Sequence, residues 1–361
     1  MKKKKIIFTS GLGAGGAERI LNFLIQSYDR NCILIINITS KNSIYSKVLT
    51  DLGYQVVNLN FYNFLLLFRK ISIFTRKSNV SYIGWMYYGC LISTLYFLFS
   101  RKNSKLIWNI RQSLYTLKNE NIISVIVILL LSFLSAFPDF IIFNSKQGKI
   151  HHSKYFLFSN KFVVIPNGIK LNPVTNNIFF TNYNKNRILF VARFHAIKNY
   201  DTFFKVITEL LHWNSNIVID VYGDGWSQNN QLIDEYFSIY DNSLRSRINI
   251  NGNVLGIDEI YSKGGILLQT SISEGFSNVL IEAMYSGCLI IASDVGDTSD
   301  ILVNKNFLIN DCYDYKSYIA AVKSIFVMPE DEIYLLLEKQ RISIIENYCH
   351  TKMITSFKKY I

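Results

Sequence analysis

The sequence lacks most of what would mark a secreted, metal-dependent, membrane-spanning or nucleic-acid-binding chain. Its five cysteines, Cys32, Cys90, Cys288, Cys312 and Cys349, are scattered without metal-ligand spacing, and three sit in or beside apolar runs, as reduced core thiols do. No apolar run is a convincing membrane span. Val80 to Phe99 is uncharged but is split by Gly84 and Gly89 into a strand and a helix, and Ile122 to Phe137 falls short of the ~20 residues a spanning helix needs. The run Lys2-Lys-Lys-Lys5 begins like a secretion signal, yet only Ile6-Ile-Phe8 precedes a glycine loop, so a cytoplasmic chain is expected. There is no Arg-rich stripe, no recognisable nucleic-acid module, no repeat and no low-complexity tract, so no nucleic-acid partner is expected. Acidic residues are the last shortage: 26 Asp and Glu face 38 Lys and Arg, a formal charge of +12. That excess, with abundant Phe and Tyr, fits solubility alone or a peripheral contact with an anionic membrane surface, and the second is the reading adopted.

What is present is enough apolar residue for two cores. Half of the 361 residues are hydrophobic, a length and composition that predict two domains. Strand and helix signals alternate from Lys5 to Thr9 onward, through Cys32 to Thr39, Gln55 to Leu59, an apolar helix around Phe61 to Phe74, Ser81 to Met86 and Lys105 to Ile110. A βαβα order implies an α/β fold with a doubly wound parallel sheet covered on both faces. Lys170 to Asn186 is polar, rich in asparagine and carries Pro173, as an interdomain linker does.

The stretch Ser271-Ile-Ser-Glu-Gly-Phe-Ser-Asn-Val-Leu-Ile-Glu-Ala-Met284 carries most of the functional signal. The apolar run Gly265 to Thr270 before it reads as a buried parallel strand that delivers Glu274 to its carboxyl end. Gly275 permits a sharp turn, Ser277 or Asn278 can cap, and Leu280, Ala283, Met284 and Gly287 form a core-facing helical stripe that leaves Glu282 to one side. Backbone N–H groups of Gly275, Phe276, Ser277 and Asn278 at a helix start make an anion site, and a carboxylate one turn further on can accept hydrogen bonds from the vicinal hydroxyls of a sugar. Upstream, Arg193 and Lys198 lie five apart across a loop into a helix, and two cations converging there would neutralise a diphosphate. That layout suits a nucleotide-diphosphate sugar.

Two glutamates separated by seven residues, Glu274 and Glu282, closely resemble the signature of retaining glycosyltransferases of family 4, which have the GT-B fold: two Rossmann-like domains facing a cleft. The resemblance implies that Glu274 and the backbone after it hold the donor sugar, Glu282 the nucleotide ribose, and Arg193 and Lys198 the diphosphate. Gly15-Gly-Ala-Glu18 is similar to the family's first glycine loop, so Gly15 and Gly16 are expected near that diphosphate, and Gly223-Asp224-Gly225 resembles its loop beside the nucleotide. Trp108-Asn-Ile-Arg-Gln-Ser113 is similar to segments of family members that build bacterial surface glycans such as O-antigen and capsule. That places Arg111, together with Tyr88 of Gly84-Trp-Met-Tyr-Tyr-Gly89, on the acceptor side; similar enzymes often have histidine where Tyr88 stands. The domains implied are an acceptor domain over 1–169, the linker 170–186, a donor domain over 187–340 and a final segment 341–361 that crosses back to the first domain.

The reaction expected is transfer of a sugar, hexosyl or N-acetylhexosaminyl in type, from its nucleotide to a lipid-linked or glycan acceptor at the inner face of the cytoplasmic membrane. No cofactor is expected. No acidic pair has metal-ligand spacing, and two side-chain cations replace a divalent ion, so the expectation is metal-independent transfer. Other readings stay open. Gly11, Gly13 and Gly16 complete a dinucleotide-binding fingerprint, which would suit an NAD(P)-dependent oxidoreductase, but Thr39-Ser-Lys41 offers no acid for the adenosine ribose. A non-catalytic sugar-nucleotide or glycan-binding subunit and a sugar-nucleotide epimerase share the same sequence logic.

Overall fold

The computed structural model describes all residues except 1–2, 14, 39–43, 60–63, 76–78, 101–103, 115, 118–120, 172–182, 228–229, 239 and 255–256. Lys2, Ala14 of the glycine loop, Thr39-Ser-Lys41, the Phe61 end of the expected apolar helix and most of the linker 170–186 therefore lie outside the described residues. The chain divides into two compact units, one of residues 1–168 with 350–361, the other of residues 169–349.

The first unit is built on consecutive apolar runs that cannot face water on either side. Its elements are β1 (Lys4–Thr9), α1 (Gly16–Gln26), β2 (Ile33–Asn37), α2 (Ile44–Asp51), β3 (Gln55–Asn58), α3 (Phe64–Thr75) and β4 (Val80–Trp85), then α4 (Met86–Leu98), β5 (Ser104–Ile110), α5 (Ile122–Leu134), β6 (Phe140–Phe143), α6 (Lys146–Ser153) and β7 (Phe162–Val164). The seven strands pair in parallel in the order β3-β2-β1-β4-β5-β6-β7. Every residue of β2 and β4 is buried, as parallel strands between two helical layers must be. One layer packs Leu67, Cys90, Tyr96 and Ile128 onto the sheet; the other packs Leu21, Leu24 and, from the C-terminal end of the chain, Met353 and Phe357.

Lys3 to Lys5 are part of this fold rather than a free arm. Lys4 and Lys5 belong to β1, Lys5 is buried with its ammonium 4.4 Å from the Tyr28 ring centre, and Lys4 sits 4.3 Å from that of Phe74. Lys3 Nζ donates to the carbonyl of Ile361 at 2.5 Å.

The second unit repeats the plan with six strands. In order come β8 (Arg187–Val191), α7 (Tyr200–Trp213), β9 (Val218–Tyr222), α8 (Gln231–Phe237), α9 (Asn242–Arg245), β10 (Ile248–Ile250), α10 (Ile257–Tyr261), β11 (Gly265–Gln269) and α11 (Asn278–Tyr285). After them come β12 (Cys288–Ser293), α12 (Thr298–Ile301), β13 (Leu308–Ile309), α13 (Tyr315–Val327) and α14 (Glu330–Asn347). The parallel order is β10-β9-β8-β11-β12-β13. A buried ion pair fixes its centre: Arg187 Nε donates to Asp220 Oδ2 at 2.7 Å, and Nη1 donates to the carbonyls of Ile260 and Gly264. The last helix, α15 (His350–Tyr360), belongs to the first unit. In each sheet the strand order reverses beside the first strand, at β1 and β4 and at β8 and β11, and ligands of such folds bind beyond the carboxyl ends of those strands.

Candidate functional site

The loops after β8 and β11 meet at that reversal point in the second unit. After β8 the chain runs through exposed Arg193 and half-buried Phe194 to His195, whose Nδ1 accepts from Ile197 N and so caps a single turn at Ala196–Lys198. Asn199 then takes a left-handed conformation, φ 52°, and its side chain caps α7 by accepting from Thr202 N. A left-handed asparagine is an economical way to turn a chain directly into a helix, because its amide supplies the missing hydrogen bond. This bend is held by the β11 loop. Thr270 Oγ1 donates to the Lys198 carbonyl at 2.8 Å, and Ile272 N donates to the Ile197 carbonyl at 2.8 Å.

The result brings two of the expected site residues together. Lys198 Nζ donates to Glu274 Oε1 at 2.5 Å, and Ser271 Oγ donates to the same oxygen at 2.8 Å. Both side chains of the pair are only partly exposed, Lys198 to 21% and Glu274 to 15%. Glu274 Oε2 has no partner among the described residues. A half-buried carboxylate oxygen that its own protein leaves open can accept from a hydroxyl group. Arg193 stands exposed on the same loop and makes no ion pair with a described residue.

The start of α11 is left for an anion by a local diversion. Ser277 occupies the cap position but makes no capping bond; its hydroxyl donates to Gln269 Oε1 at 2.7 Å instead. A helix start whose cap residue does not satisfy the first turn keeps donors available to a phosphate. The positive-φ glycine that shapes this loop is not Gly275, as the sequence leads one to expect, but Gly296 on the facing loop after β12. Gly296 has φ 59°, and a Cβ there would lie 2.5 Å from the carbonyl oxygens of both Glu274 and Gly275. A second forced glycine is Gly223, φ 136°, where a Cβ would strike the Ala192 carbonyl. It draws the β9 loop against the β8 loop, where the exposed Asp224 offers its carbonyl to Phe194 N at 2.8 Å.

Glu282 departs from the expected picture. It does not sit to one side of a buried stripe: Leu280 to Tyr285 are all buried, because α11 also packs against α14, and Glu282 is 7% exposed.

In the first unit, Gly15 and Gly16 are exposed at the start of α1, with Gly15 in the cap position. Tyr88 is 37% exposed in the first turn of α4. Arg111 is buried. Its Nε donates to Asn109 Oδ1 at 2.7 Å, its Nη1 donates to Asn167 Oδ1, and its guanidinium lies 4.9 Å from the Trp85 ring centre and 5.1 Å from that of Phe357. Burial pushes its pKa down to about 9, which leaves it charged at neutral pH. Nη2 of Arg111, Nε1 of Trp85 and Nδ2 of Asn109 are buried with no partner among the described residues. Sequence reasoning missed the hydroxyls Thr270 and Ser271 and the amide Asn199, whose only signal is a cluster of small polar residues after each strand. A cavity of about 630 Å³ beside α7, walled by Tyr200, Phe204, Tyr236 and Tyr313, contains none of Arg193, Lys198, Glu274 or Glu282.

Comparison with known proteins agrees with this architecture. Residues 185–327 match the family profile described as Glycosyl transferases group 1. The phosphatidylinositol N-acetylglucosaminyltransferase GPI3 subunit of Saccharomyces cerevisiae is 26% identical over 120 residues, a match covering 33% of this chain and only 26% of the yeast protein. Among solved structures, Anabaena HepE in complex with UDP-glucose superimposes with a TM-score of 0.78 at 15% identity, covering 98% of both chains. The lipopolysaccharide outer core galactosyltransferase WaaB gives 0.71 at 15% identity over 99% of both. The fold is GT-B, with two Rossmann-like parallel-sheet domains.

Proposed function

We propose that the protein is a retaining glycosyltransferase of family 4 type that moves a hexosyl or N-acetylhexosaminyl group from a nucleotide-diphosphate sugar to a lipid-linked or glycan acceptor. The observation that carries this reading is the arrangement at Glu274. Lys198 and Ser271 hold one carboxylate oxygen and fix the side chain, and the other oxygen is left for a hydroxyl of the donor sugar. Arg193, Lys198 and the start of α11 are the cations and dipoles for the leaving nucleotide diphosphate, whose charge grows as the glycosidic bond breaks. Glu282 takes the ribose, with Gly223 and Asp224 beside the nucleotide, and Gly15 and Gly16 at the start of α1 are assigned to the diphosphate as well. With two side-chain cations assigned to the leaving group, transfer proceeds without a divalent metal.

The acceptor side falls to the first unit, with Arg111 and Tyr88. A lipid-linked acceptor fits two relatives by their names, one acting on phosphatidylinositol and one on the lipopolysaccharide core. The setting we propose is assembly of a bacterial surface polysaccharide, O-antigen or capsule, at the inner face of the cytoplasmic membrane. No described helix is long and apolar enough to cross a membrane, and the contact we propose is a peripheral one.

The test is a mass-spectrometric screen of nucleotide sugars against lipid-linked acceptors with purified protein, in the presence and absence of EDTA. A transferred sugar with the anomeric configuration of its donor, formed equally well in EDTA, is the expected outcome. Donor binding without any transfer leaves a binding subunit, and NAD(P)H binding in its place leaves an oxidoreductase.

A further inference from the structure

The first unit carries an apolar surface that its own chain does not cover. α5 contains no charged residue, and its two faces are composed the wrong way round for a helix in water. Ser124 and Ser132 are on the buried face with Val127, Ile128 and Leu131. Ile122, Ile123, Ile126, Leu129, Leu130 and Phe133 are exposed, by 46 to 78%. One exposed leucine is ordinary; six large apolar side chains on a single helix mark a surface that another phase or molecule covers.

The patch extends beyond that helix. Phe158 is exposed beside its C-terminal end, tied there by Phe158 N donating to Ser135 Oγ at 3.2 Å. α4 packs against α5 and ends in exposed Leu98 and Phe99, and Phe99 meets Phe68 of α3 edge to face at 5.7 Å. α3 in turn exposes Leu66 and Ile73 alongside Arg69 and Lys70. These helices cover the same face of the seven-stranded sheet, so their outer sides form one layer.

Charge decides what covers it. The first unit, residues 1–168 and 350–361, holds 24 Lys and Arg against 5 Asp and Glu, a formal +19. The second, residues 169–349, holds 14 against 21, a formal −7. The protein's whole positive excess is therefore on the unit that carries the patch. A second copy docked face to face would bring together two units of formal +19 each, whereas an anionic bilayer complements both that charge and the apolar side chains. At 13 residues α5 is about 20 Å long, too short to span a bilayer but suited to lying in its interface.

We infer that the outer layer formed by α3, α4 and α5 seats the protein on an anionic lipid surface, with the apolar face of α5 inserted among the headgroups. This rests on the membrane part of the proposed function and does not use Lys3 to Lys5, which β1 and its neighbours already engage.

Flotation with phosphatidylglycerol and phosphatidylethanolamine vesicles, paired with UDP titration by calorimetry, tests it. Wild type floats, and the exposed-site double variant Ile126→Glu/Phe133→Glu binds vesicles at least ~10-fold more weakly, the scale expected when two large apolar side chains lose their burial. Its UDP affinity is unchanged, and Lys3→Ser/Lys4→Ser floats within about twofold of wild type. Flotation of the double variant equal to wild type overturns the inference. So does a wild type that fails to float and forms a dimer which Ile126→Glu/Phe133→Glu breaks, because a second copy then covers the layer. Wild type that floats yet does not bind UDP overturns a uridine donor and leaves the lipid surface standing.

Discussion

Glu274 gives one oxygen to Lys198 and Ser271 and keeps the other, and this division separates two kinds of defect. On the proposed function, Arg193→Ala and Lys198→Ala each remove a cation from the leaving group, whose charge is greater in the transition state than in the bound donor. Each is expected to lower kcat by about 10²–10³ while changing donor affinity much less, the effect of deleting one preorganised donor at a developing anion. Steady-state kinetics with a donor titration checks this; affinity lost with turnover intact makes them anchors only. Glu282→Ala is expected to behave in the opposite way, weakening nucleotide diphosphate binding by ~1.5–3 kcal/mol, the usual worth of hydrogen bonds to a charged acceptor. Calorimetry with the nucleotide alone measures it, and an unchanged Kd removes Glu282 from the ribose.

His152 supplies a pH-dependent term in the first unit. It is fully buried; its Nδ1 faces the Gly148 carbonyl at 2.7 Å and must carry the proton, so Nε2 accepts from the Tyr87 hydroxyl at 2.7 Å. Burial, the largest cause, pushes its pKa down to about 4, with the Gly148 bond acting in the opposite direction. An unfolded chain takes up this proton near pH 6.5 and the folded one only near 4, so the stability is fully present above 6.5 and is lost as the pH falls toward 4. The loss is about 3 kcal/mol at 1.36 kcal/mol per pH unit. Urea unfolding followed between pH 7.5 and 4.5 is expected to show it, with a shallower dependence in His152→Gln. Parallel curves for the two proteins rule it out.

At the scale of elements, the β8–β9 pair depends on Arg187, whose guanidinium joins Asp220 to two backbone carbonyls inside the second unit. Removing one partner of a buried pair leaves the other charge stranded, typically at a cost of 3–5 kcal/mol. Asp220 is partly exposed and also accepts from Asn249 Nδ2 at 2.8 Å, so Arg187→Ala is expected to destabilise the second unit by less than that, about 1–3 kcal/mol, whereas Arg193→Ala, on an exposed loop, leaves its melting temperature nearly unchanged. Thermal unfolding of the two variants side by side decides it. The contrast matters because both arginines border the same strand, and burial separates the structural cation from the one proposed for the site.

Over the whole molecule, what could be read from the sequence was what repeats. Short apolar runs alternating with helical stripes gave the doubly wound sheets, and the spacing of Glu274 and Glu282 pointed to a sugar nucleotide. What could not be read was set by packing between distant segments. Nothing in the sequence around Glu282 reports that α14 lies over α11 and buries it. Nor does Lys2 to Lys5 reveal that it leads directly into the central strand, where Lys5 is enclosed instead of solvated. The Lys198–Glu274 bond joins loops 76 residues apart and exists only because Asn199 and Thr270 turn one toward the other.

The assignment of α15 to the first unit has a consequence for how the protein is made. Met353 and Phe357 lie in the core that begins with β1, yet the ribosome adds them only after residues 169–349 have been synthesised. The second unit is continuous and can close as it emerges, whereas the first waits with part of its interior open to water, a state in which exposed apolar surface recruits chaperones or other nascent chains. Phe357→Ala, a core truncation worth about 3–5 kcal/mol, should therefore appear first as a lower yield of soluble protein from translation, before any effect on the second unit. Pulse-labelled synthesis with and without chaperones measures that yield directly.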